Sequence, residues 1–187
     1  MIHKGDYFAQ FNEDLPEGYD ILQVRDILGN SIEAEGITIG PSDLRVRQWS
    51  ISREIGLRYW TPIAPEDADC LFELFRSTFE SVENIVLNAQ HHEYDQFQVG
   101  NCYSCKIQDH IVIYNVTECR GNIKYYKTAF MNSGCLMLDG PIRINKLEVT
   151  HDLVPIHPST FIKIEKSMNT MASSVRPIVQ KKYGLCP

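Results

Sequence analysis

VRDILGN at Val24–Asn30 is matched 92 positions later by VTECRGN at Val116–Asn122. Each stretch is a β-rich run that ends in turn-forming residues. Two further pairs keep the same order at offsets of 95 and 93: Gly5–Phe8 with Gly100–Tyr103, and Pro62–Pro65 with Pro155–Pro158. Three matches in one order, at nearly one offset, predict an internal duplication.

Short strands are predicted in both copies. In the first copy, alternating apolar residues bounded by turn residues indicate strands at 5–11, 19–27, 32–39, 44–49 and 56–60. In the second copy the same signals indicate strands at 97–106, 110–117, 123–131 and 141–150, with a short extra piece at 135–138. Each copy is therefore predicted to be rich in β-structure.

An amphipathic helix is predicted after each set of strands. Pro65 suits the first position of one helix, and Glu66 and Asp67 suit its positive end. Pro177 limits the other helix. A shift of 93 brings the two apolar stripes into register, at Ala68/Phe161, Leu71/Ile164, Phe75/Met168, Phe79/Ala172 and Val82/Val175. The helices therefore support the duplication independently of the strands.

These patterns predict an α+β, β-rich fold, formed by tandem duplication of a small SH3-like β-barrel followed by an amphipathic helix. Closure of each barrel would remove its exposed strand edges. The predicted domains are an acidic repeat at 1–90 and a basic repeat at 96–187. The polar segment 91–95 is the predicted linker.

The formal net charge of −6 is unevenly distributed. Residues 1–93 carry 7 Lys/Arg and 17 Asp/Glu, whereas residues 94–187 carry 11 and 7. Opposite signs favour two units that face each other, within one chain or across a dimer. An anion site on the second unit, or charge retained for solubility, explains the asymmetry equally well.

Composition places the chain among ordinary globular proteins, with 43% hydrophobic and 22% charged residues. No apolar run approaches the roughly 20 residues that span a membrane, and the first residues do not resemble a signal peptide. We therefore expect a cytoplasmic protein without membrane contact. Its six cysteines are expected to be mostly reduced thiols.

One family resemblance rests on Gly5-Asp6-Tyr7 at the opening of a small barrel and on RYWTPIAPED at Arg58–Asp67. This combination resembles small proteins of phages and bacterial mobile elements, in which a barrel is followed by an Arg-Pro-Ala-Thr-Pro-Glu-Glu-like helix start. The resemblance covers the first unit, and the second only through Pro155–Thr160. It implies a fold and a phage or mobile-element setting, but no chemistry.

Cys102, Cys105 and His110 share the opening spacing of a zinc knuckle. The fourth ligand of that motif is missing, because Asn115 stands in its place and Cys119 follows too late. Residues i and i+3 of a strand point to opposite faces, so the two thiols would not converge on one ion. We therefore expect no metal and no other cofactor. The minority metal candidate consists of Cys102, Cys105, His110 and Cys119.

Paired aromatic residues on predicted strands are the candidates for binding. Alternation along a strand cannot bury both members of Tyr59-Trp60, or both of Tyr125-Tyr126, on one face. Lys124 and Lys127 flank the second pair. Exposed aromatics beside basic residues suit single-stranded nucleic acid or an extended peptide. The alternative is that the outer ring packs beneath a helix or against the other unit.

Three functions are compatible with these residues. The first is a non-enzymatic binding or assembly module that engages a protein partner or a second copy of itself. The second is a nucleic-acid-binding accessory protein that uses the basic second unit. The third is a metal-dependent enzyme around the Cys/His cluster. No nucleophile or phosphate-loop motif appears, so we do not expect an enzyme.

Overall fold

A computed structural model describes residues 2–15, 17–53, 58–94, 98–120, 123–145 and 153–186. This part of the chain forms ten β-strands and two α-helices, so the fold is α+β and β-rich. The strands are β1 Tyr7–Asn12, β2 Gly18–Leu28, β3 Ser31–Ile39, β4 Asp43–Ser52, β5 Thr61–Ile63, β6 Cys102–Ile107, β7 His110–Arg120, β8 Ile123–Asn132, β9 Cys135–Asn145 and β10 Val154–Ile156. The helices are α1 Pro65–Leu87 and α2 Ser159–Arg176, and a π-helical turn, Pro177–Lys182, continues α2.

Two compact units make up the chain. Unit 1 contains Met1–Thr78 together with Met168–Pro187, and unit 2 contains Phe79–Ser167. Both boundaries lie inside helices. One divides α1 after Thr78, and the other divides α2 after Ser167, so that the end of α2 and the residues that follow it belong with unit 1. These boundaries differ from those of the domains predicted from the sequence, 1–90 and 96–187. Those domains describe the two copies of the repeat, and they remain a prediction.

Unit 1 is built on an antiparallel sheet with the strand order β5-β1-β2-β3-β4. Alternation along β2 gives the sheet two different faces. Ile21 and Tyr19 on one face are almost fully buried, and the opposite face carries the cluster of Phe8, Leu22 and Val24. The period-2 patterns of the sequence therefore predict β1 to β4 correctly.

Unit 2 has the corresponding strand order, β10-β6-β7-β8-β9. Its strand β7 repeats a local feature of β2. The bulge between Val24 and Asp26 reappears between Val116 and Glu118, 92 residues later. Gly5 and Gly100 both adopt left-handed conformations, with φ of 93° and 91°. Each donates its amide to the valine carbonyl at the bulge, over 2.9 Å and 2.7 Å.

The predicted closure into barrels is wrong. Neither sheet closes, because within the described ranges no ladder joins β4 with β5 or β9 with β10. The closing strands are too short to form a long ladder with β4 or β9. β5 and β10 have three residues each, and Pro62 and Pro155 at their centres have no amide to donate.

Several predicted strand boundaries also need correction. Residues 58–60 form a turn and coil, and the strand predicted at 56–60 begins at Thr61 instead. The pieces predicted at 135–138 and 141–150 form the single strand β9, and 146–150 lie outside the described residues. Strand β10 was not predicted, since three residues around a proline carry no alternation signal.

The helix predictions are confirmed. α1 begins at Pro65, and α2 ends at Arg176, immediately before Pro177. Their stripes are buried, with Leu71 and Ile164 fully inaccessible. In unit 1, Phe72 packs edge-to-face on Tyr7 of β1, with ring centroids 6.3 Å apart. Neither described helix is apolar over a length that would cross a membrane.

Candidate functional site

The aromatic pair of unit 1 lies in a turn and coil, and only one of its two rings is largely exposed. Tyr59 is 79% exposed, whereas Trp60 is half-buried and packs edge-to-face on Trp49, with centroids 6.0 Å apart. Trp60 belongs to the apolar cluster around Phe8 and Leu22. Only Tyr59 of this pair is therefore directly available to a ligand.

The aromatic pair of unit 2 is less accessible. Tyr126 is buried beside Tyr114, and burial raises its pKa to about 12. Tyr125 is half-buried, and the guanidinium of Arg120 lies 5.7 Å from the centre of its ring. Lys127 donates to Glu165 over 2.8 Å. Lys124 is half-buried. The predicted binding residues thus do not form one exposed aromatic surface.

The four residues of the metal candidate are not brought together. No group of three potential ligands exists among the residues that the structure describes. Cys102 is fully buried, its Sγ lies 3.4 Å from the Pro158 carbonyl, and burial raises the pKa of its thiol to about 11. Cys105 pairs with Val112 on β7, and His110 stacks on Phe130 at 4.9 Å. Cys119 lies in a separate apolar cluster. The buried thiol of Cys102 is a poor nucleophile.

The outer edges of β5 and β10, which are equivalent in the two units, are a stronger candidate for a binding site. The edge of β10 in unit 2 is covered. The segment Gln90–His92 runs along the outer edge of β10. The His92 amide donates to the Pro155 carbonyl over 3.1 Å, and the His157 amide donates to the Gln90 carbonyl over 2.9 Å. His91 forms a bridge with Ile156. The start of the predicted linker therefore acts as a short extra strand.

Tyr94 completes this cover with its side chain. Its hydroxyl donates to the Ile156 carbonyl over 2.5 Å and accepts the Cys102 amide over 3.0 Å. The ring lies 5.5 Å from that of Tyr103 and within the cluster of Val116. Burial raises the pKa of Tyr94, as expected for a phenol removed from water. One side chain thus joins the covering segment to both β10 and β6.

Among the described residues, no strand lies beside the equivalent edge of unit 1. β5 ends the strand order, and in the described part of the chain its only strand partner is β1. The Ala64 amide, equivalent to that of His157, donates to the hydroxyl of Tyr183 over 2.9 Å. A side chain therefore occupies one position at which unit 2 uses backbone.

A groove of about 380 Å³ opens beside this edge of unit 1. Its lining is mainly apolar, with one carboxylate. The lining residues are Ile2, Gly5, Asp6, Tyr7, Phe8, Pro62, Ile63 and Pro65. The groove thus lies between the start of β1 and the corner that leads into α1.

The end of the chain closes the other side of the same corner in unit 1. Lys182 and the hydroxyl of Tyr183 both donate to the carboxylate of Asp67 in the first turn of α1. These two hydrogen bonds hold the pKa of Asp67 below its usual value. The Leu185 amide then donates to Val179 over 3.1 Å and turns the chain back.

A buried polar cluster marks the far end of the unit 1 sheet. Asp20 is 4% exposed and accepts hydrogen bonds from Thr38 at 2.6 Å, from Asn12 at 3.1 Å and from Gln10 at 3.2 Å. The position equivalent to Asp20 in unit 2, at an offset of 92, is Val112. Because its donors satisfy the carboxylate internally, we assign this cluster a structural role.

Sequence reasoning missed the edges because it treated 91–95 only as a linker. One signal was available, since Tyr94 is an aromatic residue in a polar segment. The Pro62/Pro155 repeat also marked two short edge strands, because proline within a sheet is confined mainly to edges. Neither signal shows which edge is covered.

No protein-family model matches this chain, and neither a curated protein nor a solved structure shows significant similarity to it. The assignment of function therefore depends on the geometry of the two units.

Proposed function

We propose that this protein is a non-enzymatic binding or assembly module, and that unit 1 engages an extended segment of a protein partner at the outer edge of β5. One observation carries the proposal: the described structure leaves this edge open beside an apolar groove, whereas the equivalent edge in unit 2 is covered by backbone. Strand addition at an open sheet edge is a general mode of peptide recognition.

The proposal includes a tandem duplication of one SH3-like unit. Equal strand orders, the bulges after Val24 and Val116, and the left-handed Gly5 and Gly100 support it. After duplication, one edge kept a covering segment and the other became available to a partner. The resemblance of Arg58–Asp67 to proteins of phages and mobile elements supports an assembly role in that setting.

A protein partner is favoured over nucleic acid by the state of the basic residues in unit 2. Nucleic-acid affinity depends on cations that are free to neutralise phosphates. Lys127 pairs with Glu165 and Arg120 with Glu118. Tyr126 has too little exposed surface to stack on a base. Binding through unit 2 remains the second proposal, and the same experiment tests it.

Selection from a random peptide display library against the purified protein tests the function. We expect extended peptides that bind one per chain, with little dependence on salt. A single-stranded oligonucleotide of mixed sequence is titrated in parallel at several salt concentrations. Oligonucleotide binding that weakens steeply with salt, with no selected peptide, would replace this proposal by the nucleic-acid one.

A further inference from the structure

We infer that the groove of unit 1 receives a tyrosine side chain from the partner segment, in the way that unit 2 receives its own Tyr94. This inference rests on the proposed function and adds the chemistry of the occupant. Its basis is the covered edge of unit 2, which shows how one such edge binds an extended segment.

The groove corresponds to the place that Tyr94 occupies. In unit 2 the Tyr94 side chain contacts the backbone of Ile156 and Cys102 and the ring of Tyr103. The strand pairings place Ile63, Tyr7 and Phe8 at the equivalent positions of unit 1, because Cys102 pairs with Ile156 as Tyr7 pairs with Ile63. All three line the groove. The groove of unit 1 thus lies where Tyr94 packs in unit 2, and Ile2 lines part of it.

The chemistry of the groove suits an aromatic ring that carries a hydroxyl. Phe8, in place of Tyr103, offers an apolar ring for edge-to-face packing. The hydroxyl would reach the backbone of Ile63 and Tyr7, which offers the same carbonyl and amide types as Ile156 and Cys102. An aliphatic side chain would bury apolar surface there but would form neither hydrogen bond.

The backbone of the occupant is expected to follow that of His92 but not that of Gln90, because the Ala64 amide is already bonded to the Tyr183 hydroxyl. In unit 2 the Pro155 carbonyl accepts the amide of the residue two positions before Tyr94. Pro62 stands in the corresponding place opposite Phe8, as Pro155 stands opposite Tyr103. A partner with a free amide two residues before its tyrosine could therefore donate to the Pro62 carbonyl and place its tyrosine side chain in the groove at the same time.

A synthetic peptide with the sequence of residues 88–96 provides the probe, because it contains the one segment known to bind such an edge. It is labelled with fluorescein and titrated with the full protein by fluorescence anisotropy. We expect one peptide per chain. Tyr94→Phe in the peptide should weaken binding about thirtyfold, the effect of two hydrogen bonds, and Tyr94→Ala should weaken it more.

The binding position is identified by photo-cross-linking, with benzophenylalanine in place of Tyr94 of the peptide. We expect cross-links to the groove residues at 2–8 and 62–65. In the protein, Ile2→Trp should fill the groove and reduce affinity at least about tenfold. Val154→Trp, on the covered edge of unit 2, is the matched control and should leave affinity unchanged. Circular dichroism establishes that each variant is folded.

Three results would overturn the inference: no binding, equal affinity of the Tyr94→Ala peptide, or cross-links at the edge of unit 2. None of them refers to the library selection, which tests the proposed function by itself. Selected peptides that bind unit 1 without a tyrosine would leave the function in place and remove the tyrosine pocket.

Discussion

The corner between the last strand and its helix is completed differently in the two units. In unit 2, the outer side of β10 is covered by Gln90–His92, while a cavity of about 260 Å³ lies beside the start of α2, lined in part by Ser159 and Lys163. In unit 1, the start of α1 is closed by Lys182 and Tyr183, while the groove beside β5 is open. One framework thus leaves a different side open in each unit.

The difference shows how a duplicated unit can divide its roles. The residues that form the corner are similar, as the repeat of Pro62–Pro65 in Pro155–Pro158 shows. What differs is the segment after the helix. After α1 the chain is extended and reaches β10, whereas after α2 a π-helical turn and Gly184, with φ of 68°, turn it back. The following segment, more than the sheet itself, therefore determines which edge is available.

The largest expected loss of stability concerns Asp20, where the sheet of unit 1 has a buried carboxylate and the sheet of unit 2 has Val112. Asp20→Ala should lower the free energy of unfolding by about 3 kcal/mol, because the donors of Asn12 and Thr38 lose their charged acceptor while still buried. Val112→Ala, at the equivalent position of unit 2, removes only apolar contacts and serves as the comparison. Urea denaturation of both variants measures the two effects. A smaller loss for Asp20→Ala than for Val112→Ala would contradict a structural role for the polar cluster.

Tyr94→Phe tests the cover of unit 2 directly. The variant keeps the ring but leaves the Ile156 carbonyl and the Cys102 amide without their shared partner, so we expect a loss of about 2 kcal/mol. Hydrogen exchange should then be faster at the Cys102 amide. Tyr125→Phe, on a half-buried residue of the same unit, is the control. Unchanged exchange at Cys102 would show that the hydroxyl does not fix the covering segment.

How much of this comparison the sequence predicted depends on the range of the interactions. Local signals were sufficient for α1 and α2, because an apolar stripe and a proline define a helix within the segment itself. The pairing of His91 with Ile156 joins residues 65 positions apart, and no periodicity encodes it. The buried partners of Asp20 were equally invisible, since an acidic residue on a strand is normally read as solvent-exposed. The burial of Tyr126 could not be predicted either, because alternation shows that one ring of Tyr125-Tyr126 is buried but not which.

The thiol of Cys102, in unit 2, makes the stability of the protein depend on pH in the alkaline range. Burial raises its pKa from 9.0 to about 11, so the unfolded chain ionises first and stability present below pH 9 is lost as the pH rises towards 11. Between pH 8 and pH 10 this linkage should remove roughly 1 to 2 kcal/mol. Cys102→Ala should reduce the drop, whereas Cys70→Ala, at an exposed position, should not. Equal pH dependence in both variants would show that the Cys102 thiol is not what titrates.

The smallest expected effect concerns the closure of the unit 1 corner by Tyr183. Tyr183→Phe removes one hydrogen bond to the Asp67 carboxylate and leaves the Ala64 amide without its acceptor, so we expect a loss of about 1 kcal/mol at neutral pH. Part of this loss should disappear in acid. The lowered pKa of Asp67 means that its contribution is present above the unfolded value of 3.8 and is lost as the pH falls through the folded value. Chemical denaturation of wild type and variant at several pH values between about 3 and 7 measures this convergence. A difference that stays constant across that range would show that Tyr183 stabilises the corner through Ala64 alone, and that the charge of Asp67 has no part in it.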